Sequence, residues 1–212
     1  MISYLVALAI VLGDFNLLEN DSRIGVAVAK LPQAPVCDGN LVEVQASAPT
    51  LSIHKDSSVV RVWLGRSGDS LYVAADLSDT SYYWGDDFVV SFDPDGSGGT
   101  ATGIGDRQWY LRRDLDSSFV ATAALGRWSS PPSIGKNHRG KDWVVASRST
   151  HDAWRVELKF YAPGSTSSIA FRTYDSAPQG WWSWPAPPES TRATSVERSP
   201  KLWARVSYVR GK

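Results

Sequence analysis

Two short stretches constrain this chain most. In residues 71–77, Leu71, Val73 and Ala75 alternate with Tyr72, Ala74 and Asp76. In residues 88–92, Phe88, Val90 and Phe92 alternate with Val89 and Ser91, and Asp93 follows. A period of two puts one set of side chains on a core and the other on the opposite face, so both stretches read as strands. The same reading gives strands at residues 25–30, 59–64, 108–112, 119–124, 142–147, 154–160, 169–174 and 202–209. No window carries a sustained helical period with caps. Ten or so short strands (roughly) at hairpin spacing predict an all-β fold, an antiparallel two-sheet β-sandwich of jelly-roll or immunoglobulin-like architecture.

Length and charge narrow the classes further. At 212 residues the chain supports one core, and residues 23–212 read as one module behind an apolar N-terminal segment, residues 1–22. The run from Ile2 to Gly13 is too short to span a bilayer. It has the length of a signal-peptide core but lacks a preceding Lys or Arg, so it reads equally as a signal remnant or as an ordered segment. Lys+Arg and Asp+Glu both number 22, which gives no reason to expect a nucleic acid or an anionic membrane as partner. A single cysteine, Cys37, rules out an intrachain disulfide and a cysteine zinc cluster.

Ten tryptophans are the unusual feature. Indole fills a core or a binding face at low rotamer cost, and roughly six or seven of them are expected in the core, with two to four lining a site. Tyr82, Tyr83 and Trp84 precede Asp86 and Asp87, and Trp181, Trp182 and Trp184 stand among Pro178, Pro185, Pro187 and Pro188, read here as a stiffened loop. Exposed rings beside carboxylates suit sugars, whose C–H faces stack on indole while their hydroxyls need acceptors.

Signals for catalysis are poor. Gly68-Asp69-Ser70-Leu71 spells the opening block of one serine esterase family, but it falls between two strands and reads as a hairpin turn. His54, His138 and His151 are far apart in polar surroundings. Adjacent Asp86 and Asp87 point to opposite faces if they lie on a strand, so they cannot form a glycosidase pair. Asp114 and Asp116 could share a face but lack an apolar pocket nearby. Asp93 and Asp95, with Gly96 following, resemble the start of an oxygen-rich calcium loop. Ile104 stands where an EF-hand would need its bidentate Glu, and a plain hairpin turn fits equally. Asp76, Asp79 and Asp38 are comparable alternatives.

Four segments, in order, resemble the family 9 carbohydrate-binding modules and the wider DOMON-like sandwich group. Residues 34–41 (APVCDGNL) resemble the opening I-D-G-x-L turn, and residues 85–93 (GDDFVVSFD) the G-D-x-V-E-φ-F-φ-D strand, with φ an apolar residue. Residues 154–158 (WRVEL) resemble a late W-x-x-E-φ strand. Residues 169–175 (IAFRTYD), followed by Ser183-Trp184-Pro185, resemble the closing pattern. The resemblance implies a noncatalytic sandwich, exported to the periplasm or outside the cell. It would bind a mono- or oligosaccharide between two tryptophans, carry structural calcium, and act beside a separately encoded glycoside hydrolase. By position, Trp84 would be the first clamp residue and one of Trp181, Trp182 and Trp184 the second. Arg112, Gln179, Asp86 and Asp87 would supply hydroxyl contacts. The signature strand's Glu is Val89 in this chain, which leaves Asp86 or Asp87 as the acceptor. Two other readings are a structural domain with a degenerate sugar site and a haem-binding electron-transfer sandwich. The second lacks a Met ligand within the domain, because Met1 is the single methionine.

Overall fold

A computed structural model of the chain describes residues 23–55, 58–78, 85–113, 118–124, 126–129, 140–176, 179–188 and 196–208. The apolar segment 1–22 lies outside them, as do Asp79, Asp114, Asp116 and His138. The fold is all-β. Its strands are β1 (Gly25–Lys30), β2 (Leu51–Lys55), β3 (Ser58–Ser67), β4 (Ser70–Ser78), β5 (Asp87–Asp93), β6 (Arg107–Arg112) and β7 (Phe119–Ala124). After these come β8 (Arg127–Trp128), β9 (Trp143–Ser149), β10 (Ala153–Tyr161), β11 (Ser167–Ser176), β12 (Gln179–Trp184) and β13 (Ala204–Tyr208). One four-residue helix, α1 (Val42–Gln45), and a 3₁₀ turn at Pro200–Leu202 complete the described elements.

The thirteen strands join in a single mixed sheet, in the order β8-β7-β6-β5-β11-β13-β1-β3-β4-β10-β9, with β12 beside β11 and β2 beside β3. Most pairs are antiparallel, as the hairpin spacing predicts. The exception is β1, which runs parallel to both of its neighbours. Its Gly25 to Val28 register with Arg205 to Tyr208 of β13, and Ala29 and Lys30 then register with Gly65 and Arg66 of β3. β1 thus passes from one arm of the sheet to the other, as a corner strand does. Leu31, just beyond it, packs on Gly65 so closely that a Cβ there would lie 2.5 Å from the Leu31 Cδ1.

The sheet curls until the arms face each other. Phe160 of β10 stacks on Trp109 of β6 at 4.3 Å and meets Phe92 of β5 edge-on at 4.8 Å. Around these rings the inward positions of both arms are filled by Val62, Leu64, Leu71, Val73, Phe88, Val90, Leu111, Val156, Leu158, Ile169 and Phe171. These are the alternate positions that the sequence period marks. The turn Gly68-Asp69 joins β3 to β4, with Gly68 at φ +58°, so Ser70 begins a strand.

A smaller cluster covers the outer face of β3 and β4, where Leu41 and Val44 pack on Trp63, Tyr72 and Ala74. It is anchored by Glu157, which is buried in β10 and accepts the N–H groups of Asp38 at 2.8 Å and Gly39 at 2.6 Å and the Tyr72 hydroxyl. Two of the segments carrying the family resemblance, the Asp38-Gly39 turn and the Trp154 to Leu158 strand, are therefore in direct contact. Burial, with help from Glu157, pushes the nearby Cys37 thiol up to about 12.

Candidate functional site

The registers of four strands place one residue from each side by side. Arg112 of β6 faces Asp87 of β5, Asp87 faces Tyr174 of β11, and Tyr174 faces Trp181 of β12. The next row up runs Tyr110, Val89, Arg172 and Ser183. Side chains two apart on a strand share a face, so both rows lie on the same surface of the arm, opposite the core. Phe119 of β7 extends the second row, stacked on Tyr110 at 4.7 Å.

The polar groups here are tightly paired. Asp87 accepts from Arg112 Nε at 2.8 Å and from the Tyr110 hydroxyl, and the Arg112 guanidinium also reaches that hydroxyl at 3.4 Å. Arg172, itself buried, pairs with Glu197 at 2.7 Å, and its guanidinium lies 4.0 Å from the centre of the Trp181 ring. Tyr174 meets Trp181 at 4.3 Å. Burial pushes the Asp87 carboxyl up, and the hydrogen bonds from Arg112 and Tyr110 oppose that shift. Burial likewise pushes Glu197 up against the pull of Arg172. Burial and the Asp87 carboxylate push Tyr110 up, so its hydroxyl stays a donor. The surface therefore offers fixed donors, acceptors and aromatic edges.

The residues singled out in the sequence separate into groups. Asp87, Arg112 and Trp181 come together in the first row. Asp86 turns the other way, as adjacent strand positions do: it pairs with buried Arg113 at 3.3 Å and accepts the Ser176 N–H at 3.0 Å. There it helps close one end of the core, near the buried Lys55–Asp175 pair at 2.6 Å. Gln179 opens β12 in register with Ser176 and is exposed. Trp84, with Tyr82 and Tyr83, lies outside the described residues.

The segment read as a stiff tryptophan loop is instead strand β12, a hairpin partner of β11. Its alternation decides the fate of each indole. Trp182 and Trp184 face inward and pack on the core, with Lys55 over the Trp182 ring at 5.5 Å and Trp184 at 6.1 Å from Phe171. Trp181 faces outward and is 38% exposed, more than any other described tryptophan.

Asp93 and Asp95 build a turn. Asp93, fully buried, accepts the N–H groups of Asp95, Gly96 and Gly98 at 3.2, 2.8 and 3.0 Å, and Asp95 accepts that of Ser97 at 2.9 Å. A calcium ion at this turn would have to share the Asp93 carboxylate with three backbone donors. Among the described residues no three His, Cys, Asp or Glu side chains stand close enough to hold a metal. Of the alternatives, Asp76 binds Gln45 at 3.1 Å, and Asp38 accepts the Asn40 N–H at 2.8 Å. His54 and His151 are exposed and apart.

Tyr110, Arg172, Tyr174 and Glu197 were not foreseen. For Arg172 and Tyr174 the signal was present: once Phe171 is assigned to the core, the residues at 172 and 174 must face outward. Tyr110 follows in the same way from Trp109 and Leu111. Glu197 comes from a segment without strand periodicity, so nothing in the sequence marked it. No protein-family model, no curated protein and no solved structure matches this chain.

Proposed function

We propose that this chain is a noncatalytic carbohydrate-binding domain that holds a mono- or oligosaccharide on the outer face of β5, β6, β11 and β12. The observation that carries the reading is the row Arg112, Asp87, Tyr174 and Trp181, which sets a partly exposed guanidinium and an exposed indole on one surface. A sugar ring lies against Trp181, and its hydroxyls reach Arg112 and, at the hairpin end, Gln179. Trp84 is the second stacking residue. In this reading the architecture is the two-sheet sandwich of the family 9 modules, with β1 as its corner strand. The domain works outside the cytoplasm beside a separately encoded glycoside hydrolase. One stacked ring contributes on the order of 1 kcal/mol, so affinities for one or two sugars fall in the micromolar to millimolar range.

One observation favours a second reading, a structural domain whose sugar site has degenerated. Val89, at the place of the family's glutamate, is fully buried, and the Arg172 guanidinium already lies over the Trp181 ring. Titrating intrinsic tryptophan fluorescence with glucose, cellobiose, xylobiose and lactose separates the two. The binding reading expects a saturable change with at least one sugar, and the degenerate reading expects none.

A further inference from the structure

On the other arm, β9 and β10 run antiparallel with Trp143 opposite Phe160 and Val144 opposite Lys159. The residues leading into β9 continue beside β10, with the Tyr161 N–H donating to the Asp142 carbonyl at 2.8 Å, and border a cleft of about 420 Å³ lined in part by Lys141, Lys159, Trp143 and Tyr161. That volume lies within the range of small-molecule sites, roughly 300–1,000 Å³. One wall is closely fitted. Gly140 donates its N–H to the Trp143 carbonyl at 3.0 Å, and a Cβ on Gly140 would come within 1.9 Å of the indole nitrogen. Tyr161 is 49% exposed, a large ring left open at the mouth of the cleft.

The charges of the cleft are unbalanced. Its one carboxylate, Asp142, is already engaged by Arg107 of β6. Lys141 and Lys159 form no ion pair among the described residues. Lys141 and Lys159, each carrying a compact charge with three donors, therefore stand among the residues lining the cleft, together with Trp143 and Tyr161. This contrasts with the surface on the first arm, where Arg112 is matched by Asp87 and Arg172 by Glu197. A neutral polyol suits the matched surface. The cleft suits a ring that carries an anion.

We infer that this cleft is a second binding site, and that its ligand is a sugar ring bearing a carboxylate, a uronic acid. The carboxylate sits between Lys141 and Lys159, and the ring lies against Tyr161. The site stands on these residues alone and does not depend on sugar binding at Trp181.

The test is calorimetric titration of the full chain with glucuronate, with glucose and inorganic phosphate as comparators. Glucuronate is expected to bind, and the Lys141→Gln/Lys159→Gln double variant to bind it about tenfold or more weakly, a loss of about 1.4 kcal/mol. The Trp181→Ala variant is expected to bind glucuronate like the parent, which separates this site from the first. Tyr161→Ala, a change at an exposed ring, is expected to weaken glucuronate while leaving phosphate unaffected. Absence of glucuronate binding, or equal binding by the double variant with an unchanged melting temperature, overturns the proposal. So does phosphate binding as tightly as glucuronate, because the ring would then contribute nothing.

Discussion

Arg112 and Trp181 stand at the two ends of one row across four strands, with Asp87 and Tyr174 between them. Neighbouring strands are about 4.8 Å apart, so the row spans about 14 Å, room for one or two sugar rings laid across the strands. The pairing between Arg112 and Asp87 fixes the guanidinium before any ligand arrives, which lowers the ordering cost of binding.

The alternation along β12 predicts opposite behaviour for neighbouring tryptophans. Trp184→Ala removes a ring packed on the core beside Phe171 and should cost about 3 kcal/mol of stability in urea unfolding. Trp181→Ala removes an exposed ring and should cost about 1 kcal/mol or less. Equal losses, or the reverse order, would show that the facing of β12 has been misassigned.

Glu157 gathers three donors from distant parts of the chain. Replacing it by Ala leaves the N–H groups of Asp38 and Gly39 without their acceptor, and chemical denaturation should show a loss of about 3 kcal/mol. Gly39→Ala should also destabilise, because Gly39 has φ +80° and its Cβ would meet Arg148 and Ser147 at 2.9 Å. Wild-type stability in both variants would mean that the turn is held elsewhere.

Burial, with repulsion from Asp93 and Asp95, raises the Asp106 carboxyl from an ordinary 3.8 to about 6, against a hydrogen bond from the Gly103 N–H. Below about pH 4 the group is protonated in both folded and unfolded chains and its favourable contribution is complete. Between about 4 and 6 the unfolded chain releases the proton that the folded chain holds, so stability falls as pH rises, then levels above 6. Melting curves of wild type and Asp106→Asn should therefore diverge across that window, with the variant showing less decline. Parallel pH profiles would refute the shift.

At the Asp93 turn, three backbone N–H groups already occupy the carboxylate as hydrogen-bond donors. Millimolar calcium should shift the melting temperature by about a degree or less, since a ligand stabilises only through preferential binding to the folded state. A rise of several degrees that Asp95→Asn abolishes would instead place a cation there.

Much of the fold was readable because alternation survives in a half-buried strand. Residues 25–30 and 119–124 coincide with β1 and β7, and the other expected strands fall within a few residues of those observed. The parallel pairing of β1 was not readable. It brings Leu31 against Gly65 across the chain, and no local pattern encodes that contact. β2 was missed because Leu51 and Ile53 form too short a run to stand out. β12 was hidden by the prolines that flank it, Pro178 and Pro185, although Trp182 and Trp184 alternate with Trp181 and Ser183 along it. For the site, composition supplied the residue types, whereas register supplied the grouping. Asp86 and Asp87 were equivalent in the sequence until the pairing with Arg113 and Arg112 separated them.

The most direct measurement is the fluorescence titration with glucose, cellobiose, xylobiose and lactose, run on wild type, Trp181→Ala and Arg112→Ala. The account predicts a saturable change in wild type, with binding weakened about tenfold in each variant. A flat response across the panel, or an affinity unchanged by Trp181→Ala, would contradict it.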